Sequence, residues 1–292
     1  KAVDRLSALL VAPIEAQGAG SPRLVVVPDG PLHALAFALL RQRNGQLLIR
    51  DYSLLVAPSA ASWLRAAGRL AGPPRVPAAL AAVGAPALDR DEHRNLRALP
   101  HAADEAVRVA ALYPAARATV LRGAEATRDA VVSELRRADV VHFAGHAVAN
   151  PWLPEASFLA LAGPAPSRLT AGDIRRLALD RSRLVVLAAC ETAGGAQTIV
   201  ESPLSLSRAF LAAGAPTVVG SLWLASDRAS RELFTAFHRE FARHGDAAEA
   251  LRQAQLTLST SNDPTLAASH QWAGFIAIGA SANSTVIEGA EP

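Results

Sequence analysis

One cysteine, Cys190, stands in 292 residues, and methionine is missing altogether. A single thiol cannot close an internal disulfide, and it fits no zinc pattern of paired ligands. A reducing, cytoplasmic setting is therefore expected. With no methionine even at position 1, the chain reads as a fragment of a longer protein with further domains upstream. Long apolar runs are also absent: none reaches the ~18 to 20 residues that a membrane helix needs. The opening, KAVDRLSALLVAPIEAQGAG, lacks the small-residue cleavage pattern of a signal peptide. Charge of one sign is scarce. The formal net charge is +3, and the 29 Lys and Arg are scattered singly or in pairs such as Arg136-Arg137 and Arg175-Arg176. No basic stripe with interleaved aromatics forms, which argues against nucleic-acid binding. Internal repeats and low-complexity stretches are likewise missing.

A hydrophobic content of 51% with 19% charged residues belongs to a globular chain with a real core. Apolar runs and turn signals alternate along it. RLVVVPDG (23–30), ALAAVGAP (79–86), ATVLRG (118–123), ADVVHFAGHA (138–147), RLVVLAAC (183–190), PTVVGSLW (216–223) and WAGFIAIG (272–279) read as strands. LLIRDYSLLVAPS (47–59) reads as one or two more. Helical spacing marks 4–12, 32–40, 59–70, 103–114, 126–138, 202–215, 229–245 and 247–260, with Ser59 and Thr127 as caps and Gly214 as a stop. Asp173, three residues after Thr170, completes a capping box. GPPRVP (72–77) is the linker candidate, and the small, polar tail from Ala280 to Pro292 is expected to fray. Strands alternating with helices predict an α/β fold in three layers, with a mostly parallel central sheet. Such sheets place ligands outside the carboxyl ends of their strands.

His146 and Cys190 fall at two such ends. A nucleophilic thiolate needs an imidazole within reach and donors for the oxyanion. A thiol at a strand end, with a turn after it, has an exposed sulfur and a free backbone N–H beside it. A lone cysteine is otherwise core filling. Eight histidines compete for the partner role. His33, His93 and His101 lie in turns or loops, and His238 and His244 sit among charged helix neighbours as solvated residues would. His142 and His146 bracket FAG on the same side of one strand, with His142 the interior, structural member. His146 follows Gly145, where the backbone turns, and is the better base. His270, with Cys190 and Asp263, offers the nucleophile–acid–histidine order of an α/β-hydrolase. Its nucleophile elbow is absent, since Ala188 and Thr192 stand where glycines belong.

With His146 preceding Cys190 by 44 residues at consecutive strand ends, the sequence resembles the caspase–separase clan of cysteine peptidases. More narrowly it resembles a CHAT domain, the caspase-like module often found after tetratricopeptide repeats. The likeness rests on LVVVPDGPLHALAFALL, VAPSAASW, AAVGAPAL, LPHAADEAVRVAALY, GAEATRDAV, VVHFAGHA, LVVLAACETAGG, SRAFLAAGAPTVVGSLWLASD and HQWAGFIAIG, in that order from Leu24 to Gly279. It implies a caspase-like catalytic lobe over residues 73–292 and an N-terminal non-catalytic lobe over 1–72. It implies a Cys190–His146 dyad without a required third member, and oxyanion N–H groups from Cys190 and Ala147, where the family usually has glycine. It further implies endopeptidase activity on a protein substrate, without metal or organic cofactor, and upstream repeat or regulatory domains. A bacterial role in defence or programmed death would follow from the same likeness.

Separase-like relatives carry an acid shortly after the Leu-Trp of SLWLASD, which matches Asp227 here. That carboxylate would hold a basic substrate side chain, or would cap the helix beginning near Ala229. Glu191 and Glu201 flank the loop after the thiol; Glu201 would order that loop or supply the acid of the binding cleft. Beside the peptidase stand two alternatives: a catalytically silent or suppressed binding module on the same frame, and the Cys190–His270 hydrolase.

Overall fold

The computed structural model of the chain describes residues 2–16, 22–71, 79–188, 191–192 and 202–282. Two short helices, α1 (Ala2–Leu10) and α2 (Ala12–Ala16), precede strand β1 (Arg23–Val26). The expected helix over 32–40 is instead two separate 3-10 turns, Gly30–Ala34 and Phe37–Leu39. Their apolar side chains do not share one helical stripe. Phe37 and Leu40 pack with Leu48, Tyr52 and Ile278 in a satellite core, so tertiary contacts override the local period. The 47–59 run yields one strand, β2 (Ser53–Val56), after a 3-10 turn at Leu48–Arg50. Helix α3 (Ala60–Arg69) starts as predicted, with Ser59 and Ser62 in a reciprocal capping box.

Next come β3 (Leu80–Pro86), α4 (Ala102–Ala110), β4 (Ala118–Gly123), α5 (Arg128–Arg137) and β5 (Val140–Ala144). A small insertion follows, with β6 (Ala147–Ala149), β7 (Phe158–Ala160), β8 (Arg168–Thr170) and helix α6 (Ala171–Arg175). The chain then returns through β9 (Leu184–Leu187), β10 (Glu191–Thr192), α7 (Ser202–Ala213) and β11 (Thr217–Ser221). It finishes with α8 (Asp227–His244), α9 (Ala247–Ser259), α10 (Pro264–Ala267) and β12 (Phe275–Gly279).

Eight strands form one sheet in the order β1-β2-β12-β11-β9-β5-β3-β4, parallel throughout except for β11–β12. Alternation along each strand sorts the two faces. Leu80, Ala82, Val140, Leu184 and Val186 meet α4, α8 and α9 on one side. Ala81, Val83, Val141, Val185 and Leu187 meet α5, α6 and α7 on the other. The three-layer, mostly parallel α/β architecture is therefore as predicted. The second sheet, β10-β6-β7-β8, sits beyond the carboxyl ends of β5 and β9.

β1 and β2 extend the main sheet through β12, with Val56 opposite Ile278. The boundary expected near residue 72, and the 72–77 linker, lie outside the described residues. The tail does not fray from Ala280. Ala280, Ser281 and Ala282 are buried; Ala280 donates its N–H to Pro216 O at 2.9 Å, and Ser281 Oγ donates to Asp246 at 2.7 Å.

Candidate active site

β5 and β9 are neighbours in register, Phe143 opposite Leu187, and Ala188 N–H donates to Phe143 O at 2.9 Å. On the far side, β10 runs parallel to β6 with Glu191 opposite Val148. The described residues on either side of positions 189–190 thus run beside the segment 143–148, which carries His146. Cys190, Glu201 and the Glu191 side chain lie outside the described residues.

His146 is buried, with its carbonyl accepting from Ala160 N at 2.9 Å. Gly145 before it is close-packed: a Cβ there would stand 3.0 Å from the Phe143 ring and 3.2 Å from Pro86. Ala147 begins β6 opposite Leu159. Because His146 O takes the Ala160 N–H, Ala147 and Leu159 are a non-hydrogen-bonded pair, and the Ala147 N–H points away from β7. Among the described residues only Ala85, at φ 45°, is a non-glycine with positive φ. Ala147 is ordinary extended backbone, so a β-carbon there strains nothing.

His146 and Ala188 line a cleft of about 240 Å³ together with Ser221, Trp223, Asp227 and Ser230. Its walls are fixed by contacts outside the cleft. Trp223 Nε1 donates to His270 O at 2.7 Å, and its ring lies so close to Gly274 that a Cβ there would come within 2.6 Å of it. Gln271 Oε1 accepts from Ser226 N at 2.9 Å. The cap of α8 is Ser226, whose Oγ accepts from Ala229 N; Asp227 is the first helical residue and does not cap. Its carboxylate accepts from His101 N at 2.6 Å and borders the cleft. Arg97, exposed, borders it too.

Beneath the cleft lies a buried polar chain. His142, on β5, has its Nε2 at 2.9 Å from Glu105 Oε1 and its Nδ1 at 3.1 Å from His238 Nε2. His238 Nδ1 is 2.8 Å from Tyr113 Oη. His142 is the structural histidine expected. His238 is not solvated as its charged neighbours implied: it is 0% exposed, because α8 turns it inward with Phe234, Phe237 and Phe241. Burial pushes His142 down to about 3 and, with His142 beside it, pushes His238 well below the usual histidine value. Burial and then the Asp227 charge hold Glu105 well above the usual glutamate value, against the pull of Arg231. Glu105 and Tyr113 escaped the sequence reading. The signal for Glu105 was there, since it lies between Ala102, Ala106 and Val109 on the inward face of α4.

Among the described residues, Asp263 and His270, the acid and histidine of the hydrolase reading, are each engaged elsewhere. Asp263 caps α10 through Thr265 N at 2.9 Å and pairs with Arg228 at 2.7 Å, while His270 is exposed beside Gln271. The Thr170–Asp173 capping box forms as read. Among the described residues, no group of three His, Cys, Asp or Glu is placed to hold a metal ion, and no helix is long and apolar enough to cross a membrane.

The family described as the CHAT domain matches residues 1–280. The chain belongs to the CHAT domain family. This CHAT domain is 29% identical to human tetratricopeptide repeat protein 28 over 323 residues, covering 93% of the chain and 13% of that protein. It is 29% identical to the mouse protein over 333 residues, with the same shares. It thus spans about an eighth of the curated relatives it matches. Both are mammalian and lend the expected bacterial setting no support. Its fold is that of separase in the Saccharomyces cerevisiae separase–securin complex, with a TM-score of 0.56, 13% identity, and 85% of this chain and 15% of that one covered. It is also that of the Arg-specific cysteine proteinase gingipain R, with a TM-score of 0.58, 8% identity, and 94% and 66% covered. The CHAT fold is therefore caspase-like, as the sequence resemblance implied.

Proposed function

We propose that this CHAT domain is a cysteine endopeptidase module that uses Cys190 as nucleophile and His146 as general base and acid. The observation that carries the reading is the placement of His146 in a cleft shared with Ala188, two residues before the cysteine. The Cys190 thiolate attacks the scissile carbonyl carbon, and the resulting oxyanion takes hydrogen bonds from the N–H groups of Cys190 and Ala147. His146 gives a proton to the leaving amine as the C–N bond breaks. The thioester is then hydrolysed by a water whose proton His146 accepts. The Ala147 N–H, which points away from β7, supports this oxyanion role, and its extended backbone accommodates a β-carbon without strain. Asp227 supplies the negative charge of the cleft, which fits a substrate Arg or Lys. Glu201 stays a second candidate acid for that cleft. The substrate is a protein, in keeping with the separase–securin pairing; the repeat-containing relatives support a larger parent with repeat domains, and the lone cysteine fits a reducing compartment.

Because Cys190 is the one thiol in the chain, labelling by iodoacetamide reports on it without ambiguity. His146→Ala is expected to slow labelling at neutral pH at least tenfold and to lower hydrolysis of a cleavable peptide by about 10²–10⁴-fold. His270→Ala is expected to change neither. Unchanged labelling in His146→Ala would defeat the dyad. Fast, His146-dependent labelling with no cleavage of any peptide in a diverse library would favour a silent binding module.

A further inference from the structure

Glu105 lies one turn into α4, and His101, which precedes that helix, is bonded through its N–H to Asp227 at 2.6 Å. The cleft carboxylate and the buried one are thus attached to the same helix start. A Cβ on Gly84 would stand 2.7 Å from Ala106 Cβ and 2.8 Å from Ala102 O, so the glycine is what lets α4 lie close on the sheet. From there Glu105 reaches His142, whose backbone neighbour on β3 is Ala82.

The proton count of the chain gives it a direction. Three links join Tyr113, His238, His142 and Glu105. With Glu105 ionised and both imidazoles neutral, each link has one proton. Tyr113 Oη donates to His238 Nδ1, His238 Nε2–H to His142 Nδ1, and His142 Nε2–H to Glu105. A proton placed on Glu105 Oε1, the oxygen that meets His142, makes it a donor to His142 Nε2, and both histidines then carry their protons on Nδ1. One proton therefore sets the tautomer of both rings. The charged groups that act on Glu105 are Asp227 and Arg231, both on α8. Arg231 meets His101 at 3.1 Å and Asp104 at 3.2 Å.

We propose that Glu105 is a second, proton-gated carboxylate of the Asp227 subsite: docking of a cationic side chain on Asp227 releases a proton from Glu105, and the Tyr113–His238–His142 chain holds the resulting charge. This rests on Asp227 being the cation-binding acid of the cleft. Burial first and the Asp227 charge second hold Glu105 above the usual glutamate value, and neutralising Asp227 removes the second of these. By linkage the effect is reciprocal, so ionising Glu105 strengthens cation binding. Affinity for a cationic ligand rises with pH, and Glu105 acts at a distance as a specificity-positioning residue.

The test is titration of the intact chain, with its histidines labelled with ¹⁵N, by Nα-acetyl-arginine amide. The neutral Nα-acetyl-norleucine amide serves as control. The arginine probe is expected to bind about tenfold more tightly at about pH 8 than at about pH 5. Saturation should move His142 and His238 towards the Nε2–H tautomer. Calorimetry in two buffers of different ionisation enthalpy should show proton release on binding, a readout that needs no variant. Glu105→Gln should abolish the pH dependence and hold affinity for the arginine probe at both pH values near the weaker value that the unaltered chain shows at low pH. Affinity lost in Asp227→Asn but equal at the two pH values in the unaltered chain, without proton release, would overturn the gating and leave the subsite standing. Equal affinity in Asp227→Asn would overturn the subsite on which the proposal rests.

Discussion

His238 and Glu105 are the residues whose surroundings determine most and whose neighbours in sequence mislead most. Arg239 and Glu240 follow His238, yet Phe234, Phe237 and Phe241 share its face at the spacing of a buried helical stripe. Reading the period over the whole helix, and not the adjacent charges, would have placed it in the core. Acid stability records the consequence. His142 and His238 have folded values depressed below 6.5, so the unfolded chain binds protons there that the native chain does not, and stability falls as pH drops below 6.5. Glu105 is raised above 4.5, so over the window just above 4.5 the native chain holds a proton that the unfolded one has lost, which opposes the histidines. Between about pH 5 and 6 the two effects oppose one another, and the slope of stability with pH is their difference. In Glu105→Gln the opposing group is gone. Its slope is expected to be steeper by up to about 1.4 kcal/mol per unit, the limit for one proton, measured from urea midpoints across that window. Equal slopes in the two proteins would mean that Glu105 is already ionised in the native state.

Elements were legible where local chemistry decides them. ATVLRG is a strand over those six residues, and the Ser59, Thr127 and Thr170–Asp173 caps all form. They were illegible where packing decides, as in the turns over 30–39, and at the start of α8, where Ser226 takes the cap and frees Asp227 to face the cleft. The site itself was half legible. The strand ends named His146, but the Glu105 contact depends on how closely α4 approaches β3. Gly84 controls that approach. Gly84→Ala is expected to cost about 1–3 kcal/mol by forcing α4 off the sheet, read as a lowered denaturant midpoint. The same shift should weaken the Glu105–His142 link, seen as altered ring ¹⁵N signals of His142. Gly274→Ala acts on a different wall. Its Cβ would meet the Trp223 ring at 2.6 Å, so that ring must move and the cleft change shape. The expected outcome is a larger loss in affinity for the arginine probe than in fold stability, because Trp223 is only half-buried and has room to turn.

At the scale of the whole molecule, the expected N-terminal lobe (residues 1–72) and the rest of the chain share one sheet. β12, the last strand, runs between β2 and β11. Ile276 and Ile278, on the β12 face towards the lobe, are buried against Phe37, Leu48 and Val56. Two arginine anchors add polar ties across the same seam. Arg23 pairs with Asp246, the cap of α9, and also donates to Ala282 O at 2.7 Å. Arg252, on α9, donates to Ile49 O at 3.1 Å and Arg50 O at 2.7 Å. Removing residues 1–72 would uncover the isoleucine face, open one edge of β12 and leave the Asp246 carboxylate, itself 5% exposed, without its guanidinium. A chain of residues 73–292 is therefore expected to aggregate or to lose its cooperative unfolding transition, whereas the full chain unfolds as one unit. Size-exclusion chromatography and urea unfolding followed by tryptophan fluorescence would check this. A monomeric, cooperatively folded 73–292 fragment would show that the seam is a docking surface between independent lobes. The first outcome would make the N-terminal lobe part of the scaffold that holds β11 and β12 in place, and through them the Trp223 and Asp227 walls of the cleft.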